Sequence, residues 1–246
     1  NGDNMKPYYQ DDLVTLYHGD CLEVAEWLGA DVLVTDPPYG VAFQSSRLIE
    51  KRPRIAGDES TNVRDQVLSL WGIKPALVFG TWRAPRPSGV RQRIIWAKGD
   101  DPGLGDLSMP WGYGDEEVYV MGGGWVGPRR TNVYRFPKVA HANNPGHPTP
   151  KPIPLMEALI EYAPPGVIAD PFAGSGATIM AARNLGRQSI AVEVDEGYCE
   201  LIAKRLGQQA FDFSAPVDEV RSSGWSGTEQ EFDFGSLVSS TERKES

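Results

Sequence analysis

Val167-Ile168-Ala169-Asp170-Pro171-Phe172-Ala173-Gly174-Ser175-Gly176 is the stretch on which the fold is decided. Val167 to Asp170 is an apolar run of strand length with no polar alternation, as expected of a strand buried on both faces in a parallel sheet. Pro171 stops it. Gly174 and Gly176 carry no Cβ and allow a tight turn into a helix over Ala177–Leu185, which Gly186 closes. A second strand follows over Ser189–Val192 and ends at Glu193. A helix over Glu196–Leu206 comes next, with Tyr198, Leu201, Ile202 and Leu206 predicted to face inward. Strand, helix, strand, helix in this order is a βαβ unit, and that unit requires a parallel sheet with a right-handed crossover.

The pattern extends upstream. Pro154–Ala163 is an amphipathic helix with Leu155, Met156, Leu159 and Ile160 on one stripe, ended by Pro164-Pro165-Gly166. Leu13–Leu16 alternates into a strand that leads to His18-Gly19-Asp20, and Cys21–Leu28 reads as a short helix. Residues 31–35 form a β-branched apolar run, another buried strand, stopped by Asp36-Pro37-Pro38-Tyr39. Residues 44–60 read as a mobile basic loop, Val67–Trp71 as helical and Ala76–Gly80 as a buried strand. Arg93–Trp96 and Glu117–Met121 read as two strands across a Gly- and Pro-rich loop, and Thr131–Phe136 as a short strand. The fold class is therefore α/β and Rossmann-like: a mostly parallel sheet with an antiparallel hairpin. One domain is expected over residues 5–210, with inserts within about 44–146 and an acidic, disordered tail over 211–246.

Charge is distributed unevenly. The net charge of the 246-residue chain is −9, yet residues 44–152 alone carry +6, with both flanks negative. A polyanion responds to the patch that faces it, so the middle of the chain suits nucleic acid and the ends do not. No run approaches the ~20 apolar residues of a membrane span. The N-terminus lacks the basic stretch and apolar run of a secretory leader, so none is expected. Cys21 and Cys199 are too few for a disulfide framework and are expected as free thiols. His18, His141 and His147 are scattered, so no metal site is expected.

Two motifs carry chemistry. In the first, Gly174 and Gly176 let a ligand approach the backbone, and the helix behind them offers free N–H groups. Glu193, seventeen positions after Gly176, stands at the next strand end, where its carboxylate suits a ribose diol. That combination implies a cofactor containing a nucleoside. It is a poor dinucleotide fingerprint, because Ile179 occupies the place of the third Gly. A nicotinamide-dependent oxidoreductase is disfavoured accordingly. In the second, Asp36, Pro37, Pro38 and Tyr39 combine a carboxylate, a fixed carbonyl and a flat ring at the end of a parallel strand. Such a set accepts both hydrogens of an exocyclic amine and stacks on the base that carries it.

Together these residues resemble the S-adenosylmethionine-dependent amino-methyltransferases of DNA. The matching pieces are Asp-Pro-Pro-Tyr at 36–39, Asp-Pro-Phe-Ala-Gly-Ser-Gly at 170–176, His-Pro-Thr-Pro-Lys-Pro at 147–152 and His-Gly-Asp at 18–20. The catalytic motif precedes the cofactor motif, a circularly permuted order that resembles the β class of the family. The resemblance covers about residues 8–209 and makes 5–210 a methyltransferase domain. It implies S-adenosylmethionine as cofactor, held by Asp170, Phe172, Ala173, Gly174, Ser175 and Gly176. Glu193 would take the ribose hydroxyls, Asp20 would lie near the adenine, and Thr149 and Lys151 would border the methionine moiety. Asp36, with the carbonyl of Pro37, would bind the target amine, beside Pro38 and the stacking ring of Tyr39. One departure from the family pattern is Pro150, where a polar residue usually precedes the Lys.

The resemblance further implies a site-specific enzyme acting on the N6 of a flipped adenine in double-stranded DNA. Asp at position 36 favours adenine, whereas N4-cytosine enzymes more often carry Ser there. An N4-cytosine enzyme and a non-catalytic nucleic-acid-binding module on the same scaffold are the alternatives. DNA contacts are expected from Arg47, Lys51, Arg52 and Arg54, from Arg83, Arg86, Arg91 and Arg93, and from Arg129 and Arg130, mostly to phosphate. A homodimer, a separate restriction endonuclease as partner and a cytoplasmic location in a prokaryotic or phage-infected cell are further expectations; no membrane association is expected.

Overall fold

The computed structural model describes residues 5–39, 60–99, 108–139 and 150–212. The expected contacts of Arg47, Lys51, Arg52, Arg54 and Thr149, and the tail beyond Asp212, lie outside the described residues.

Among the described residues, nine strands form one sheet. They are β1 (Tyr9–Gln10), β2 (Val14–His18), β3 (Val32–Thr35), β4 (Ala76–Gly80), β5 (Val90–Ala97), β6 (Asp115–Met121), β7 (Val133–Arg135), β8 (Ile168–Asp170) and β9 (Ser189–Glu193). The helices are α1 (Asn62–Trp71), α2 (Ile153–Ile160), α3 (Ala177–Asn184) and α4 (Glu196–Asp212). The strand order is β1-β2-β9-β8-β3-β4-β6-β5-β7. Strands β2, β9, β8, β3 and β4 run parallel, and β6 lies antiparallel between β4 and β5. This is the α/β architecture expected, a mostly parallel sheet with the antiparallel hairpin β5–β6; β1 also runs antiparallel, against β2.

The apolar runs are strands because both faces of the sheet are covered. On one face Leu155, Met156, Leu159 and Ile160 of α2 pack with Val32, Val34, Leu77, Phe79, Val118 and Val120. Ile179 and Met180 of α3 and Cys199, Ile202 and Leu206 of α4 extend that layer over Val14, Leu16 and Ala191. The opposite face packs Leu33, Ala76, Val78, Tyr119 and Met121 against Trp27, Val67 and Trp71. The indoles of Trp27 and Trp71 are stacked at 5.9 Å. Among the described residues, no helix is long and apolar enough to cross a membrane.

Several expectations are corrected. Cys21–Leu28 is not an α-helix: Asp20 starts a turn through its carboxylate to the amide of Leu22 (2.9 Å), and only Glu26–Gly29 winds, as a 3-10 turn. The Trp27 indole N–H takes the carbonyl of Cys21 at 2.9 Å, so burying that ring sets the path of the chain. In α4 the inward stripe is Cys199, Ile202 and Leu206, and Tyr198 and Leu201 flank it half-buried. The helix also runs to Asp212, two residues into the stretch read as a tail. Strand β1 was not anticipated; two residues paired with Leu16 and Thr15 are too short for a periodicity to show. The helix and strands read within residues 44–146 are present as α1 and β4 to β7.

Candidate active site

Parallel pairing of β3 with β8 sets Leu33 opposite Ala169, so Thr35 and Asp170 end their strands side by side. The Thr35 hydroxyl donates to Asp170 Oδ1 at 2.7 Å. The two motif-bearing turns, Asp36–Tyr39 and Pro171–Gly176, thus leave adjacent strands at the same carboxyl edge. This is the edge where open α/β sheets bind ligands. Asp170 is buried, and burial pushes its carboxyl up to about 7 despite hydrogen bonds from Thr178, Thr35 and the Phe172 amide.

The glycine turn is shaped by its backbone. Gly174 and Gly176 have φ of 51° and 82°, left-handed values that suit glycine. A Cβ on Gly176 would come within 2.9 Å of Ile202 Cγ1. The Gly174 amide donates to Glu193 Oε2 at 2.7 Å, and the Asp195 amide to Oε1 at 2.9 Å. Burial raises the Glu193 carboxyl above its usual range against these amides. Arg205 donates to the Ser175 carbonyl at 2.6 Å and Ala173 to the Val192 carbonyl at 3.0 Å, which fix the turn from outside. Phe172 packs, half-buried, on the Trp27 layer. His18 lies opposite Glu193 across the β2–β9 pair, so the exposed Asp20 follows at this same edge. Close-approach glycines, a carboxylate and the start of α3 at one edge are a donor and acceptor set that fits a nucleoside bearing an amino-acid chain.

Beside the turn lies a cluster of charge around the buried Lys151. Lys151 Nζ is 2.6 Å from Asp36 Oδ2 and 3.0 Å from Glu116 Oε2. The Tyr39 hydroxyl donates to Asp36 Oδ1 and stands 3.5 Å from Glu116 Oε2. Lys98 holds the other Glu116 oxygen at 2.6 Å. Burial opposes ionisation of Glu116, but Lys151 and Lys98 outweigh it and hold the carboxyl below its ordinary range. Burial likewise works against the Lys151 ammonium, and Asp36 and Glu116 overcome it and raise its pKa. Tyr39 is pushed well above 10 by burial and by the charges of Asp36 and Glu116. Lys151, expected at the methionine end of a cofactor, therefore directs its ammonium to the Asp36 carboxylate.

Glu116 and Lys98 did not emerge from the sequence as site residues. The signal that points to them is the acidic triplet Asp115-Glu116-Glu117 at the start of β6, since charge inside a strand calls for partners. Adjacent strand residues face opposite ways. Glu116 joins Asp36 and Lys151, whereas the buried Glu117 takes Arg86 (2.9 Å), Arg93 (2.6 Å) and the Tyr119 hydroxyl (2.7 Å).

The expected basic surface is divided. Arg83 lies over the Tyr113 ring at 4.8 Å, with Trp82, 64% exposed, against the same ring. These residues follow β4 or precede β6 and so belong to the site edge, as do Arg86 and Arg93 through Glu117. Arg91 is at the other end of the hairpin, on the Gly122 carbonyl at 2.7 Å. Arg130 covers the rings of Tyr134 and Tyr162, and Arg129 is exposed beside it. The structure does not gather Arg91, Arg129 and Arg130 with Asp36. Trp71 and Trp96 are core residues.

The family model described as DNA methylase, of N6/N4 type, matches residues 125–205. The DNA adenine methyltransferase YhdJ of Escherichia coli K12 is 35% identical over 242 residues, an alignment spanning 78% of this chain and 82% of that protein. Two solved structures share the fold at lower identity. M1.HpyAVI in complex with SAM superposes with a TM-score of 0.59 at 20% identity, covering 79% of this chain and 99% of its own. The cytosine-N4-specific PvuII DNA methyltransferase has a TM-score of 0.59 at 18% identity, covering 81% and 88%.

Proposed function

The chain belongs to the N6/N4 DNA methylase family, and from that membership we propose that it moves a methyl group from S-adenosylmethionine to the N6 amine of an adenine extruded from double-stranded DNA. The observation that carries the reading is the shared strand edge. The Thr35–Asp170 hydrogen bond of 2.7 Å ties the acceptor turn to the glycine turn, so both partners of a transfer would meet at one strand edge. Holding two reactants in one orientation can remove about 7–11 kcal/mol of the barrier to such a transfer.

When bound, S-adenosylmethionine supplies a methyl group activated by its sulfonium sulfur. Gly174, Gly176 and the turn residues Asp170, Phe172, Ala173 and Ser175 would form its seat, Glu193 would receive the ribose hydroxyls, and Asp20 would close the adenine side. An exocyclic amine is a poor nucleophile because its lone pair is delocalised into the ring. Asp36 and the Pro37 carbonyl accept its two hydrogens and turn that lone pair out of conjugation. Asp36 then takes the proton that the methylated nitrogen sheds. Pro38 keeps the turn rigid, and Tyr39 offers a ring worth about 1–3 kcal/mol of stacking against the few kcal/mol that extrusion costs. Asp36 and the 35% identity to an adenine enzyme support adenine as the base.

The test is methylation of random-sequence duplex DNA, with nucleosides read by mass spectrometry and sites by methylation-sensitive sequencing. N6-methyladenine in one short sequence is the expected result. N4-methylcytosine overturns the choice of base. Cofactor binding with no methyl incorporation identifies a binding module instead. DNA is met by Arg83, Arg86 and Arg93 at the site edge, mainly through phosphate. Affinity is expected to fall steeply with salt, by about 0.9 in log K per log unit of salt for each phosphate contacted. Arg83→Ala is expected to remove about one such unit of slope, evenly across sequences, as measured by fluorescence anisotropy. Salt-insensitive binding is incompatible with this surface.

A further inference from the structure

A lysine buried to 8% exposure must be paired. The Lys151 ammonium has three N–H donors and three oxygen acceptors around it: Asp36 at 2.6 Å, Glu116 at 3.0 Å and the Tyr39 hydroxyl at 3.4 Å. The rings of Phe79, Tyr39 and Trp96 lie 5.0, 5.8 and 6.0 Å from the ammonium. In this cluster the Asp36 carboxylate receives Lys151 on Oδ2 and Tyr39 on Oδ1. An N–H donor on that carboxylate is also what a target amine must supply. The resident donors therefore compete with the substrate's hydrogens for the same two oxygens.

Both have the same second acceptor. Lys151 and Tyr39 each reach Glu116 Oε2, at 3.0 and 3.5 Å, and Lys98 anchors Oε1 of that carboxylate at 2.6 Å. We propose that Lys151 is a movable stand-in for the substrate amine, and that Glu116 is the positioning residue that receives it. In the free protein the ammonium bridges Asp36 and Glu116; when the amine arrives it leaves Asp36 and stays on Glu116. Without Glu116 the departing ammonium would be buried with no carboxylate, a state costly enough to keep it on Asp36. This inference rests on the methyl-transfer reading above and assigns the groups that clear its acceptor.

A double-mutant cycle tests it, with single-turnover transfer to a duplex as the readout. Glu116→Gln keeps the shape of the side chain and removes the charge. It is expected to slow transfer by about 10²-fold or more in the wild-type background, in the range found when one preorganised polar partner is lost. In a Lys151→Met background, where nothing needs receiving, the same change is expected to cost less than about threefold, because the coupling has gone. S-adenosylmethionine affinity, by calorimetry, is expected to be unchanged in the single variant, which also shows that it is folded. An equal loss in both backgrounds, or no loss in either, overturns the proposal. A crystal structure of the wild-type protein with a target duplex decides the matter without any variant. The ammonium on Glu116 and off Asp36 upholds it; the ammonium still on Asp36 with the amine bound overturns it. A wild-type protein that transfers no methyl to DNA sinks the functional reading itself, whereas an active wild type with an additive cycle sinks only this inference.

Discussion

Replacing Asp36 by Ala is expected to lower the single-turnover rate of methyl transfer by about 10³-fold, the scale of losing a preorganised partner of the reacting group. The affinity for S-adenosylmethionine is expected to change little. Asp36 contacts Lys151 and Tyr39, while the seat proposed for the cofactor is built by Gly174, Glu193 and the Pro171–Gly176 backbone. Lys151 keeps Glu116 at 3.0 Å in the variant, so the ammonium is not left alone and the fold survives. Asp36→Asn is expected to lose less, since an amide oxygen still accepts one hydrogen of the amine. Rapid-quench transfer assays beside cofactor titration check both variants. Near-normal turnover of Asp36→Ala would remove the acceptor role from this residue.

The second large effect concerns stability. Burial pushes the Asp170 carboxyl from 3.8 up to about 7, so between these values the folded protein holds a proton that the unfolded chain has released. The contribution of this group is fully present below about pH 4 and is lost as pH rises through about 7. Three pKa units correspond to roughly 4 kcal/mol at most, since one unit is about 1.4 kcal/mol. Asp170→Asn keeps an oxygen for the Thr35 hydroxyl and the Phe172 amide and has nothing to ionise. Wild type is therefore expected to lose stability relative to this variant as pH rises from 4 to 7, by a few kcal/mol. Urea unfolding across that range measures the difference. A difference that stays flat with pH would show that Asp170 is not held protonated.

The parts of the fold legible in the sequence are those in which one short segment carries its own signal. Strands β3, β4, β8 and β9 are apolar runs long enough to read, and the stripe Leu155, Met156, Leu159 and Ile160 shows a helix without any partner being known. The two turns are legible because prolines and glycines restrict the backbone locally. Where a signal is short or shared, reading fails. Strand β1 has two residues, and the winding at Glu26–Gly29 depends on where Trp27 is buried.

The candidate site divides along the same line. Asp36, Gly174 and Glu193 stand at the ends of readable strands, so their place on a ligand edge follows from the order of the elements. Glu116 and Lys98 belong to an antiparallel hairpin whose register no local pattern sets, and Lys151 lies ahead of α2, 115 positions after Asp36 in the chain. By itself the sequence determined the sheet, its carboxyl edge and the two turns, because backbone propensity and burial act over a few residues. Only the tertiary structure decided which charges share the Asp36 carboxylate. Pairing buried ions is a matter of distance in space, and the strand order β8-β3-β4-β6-β5 brings together groups that the chain keeps far apart.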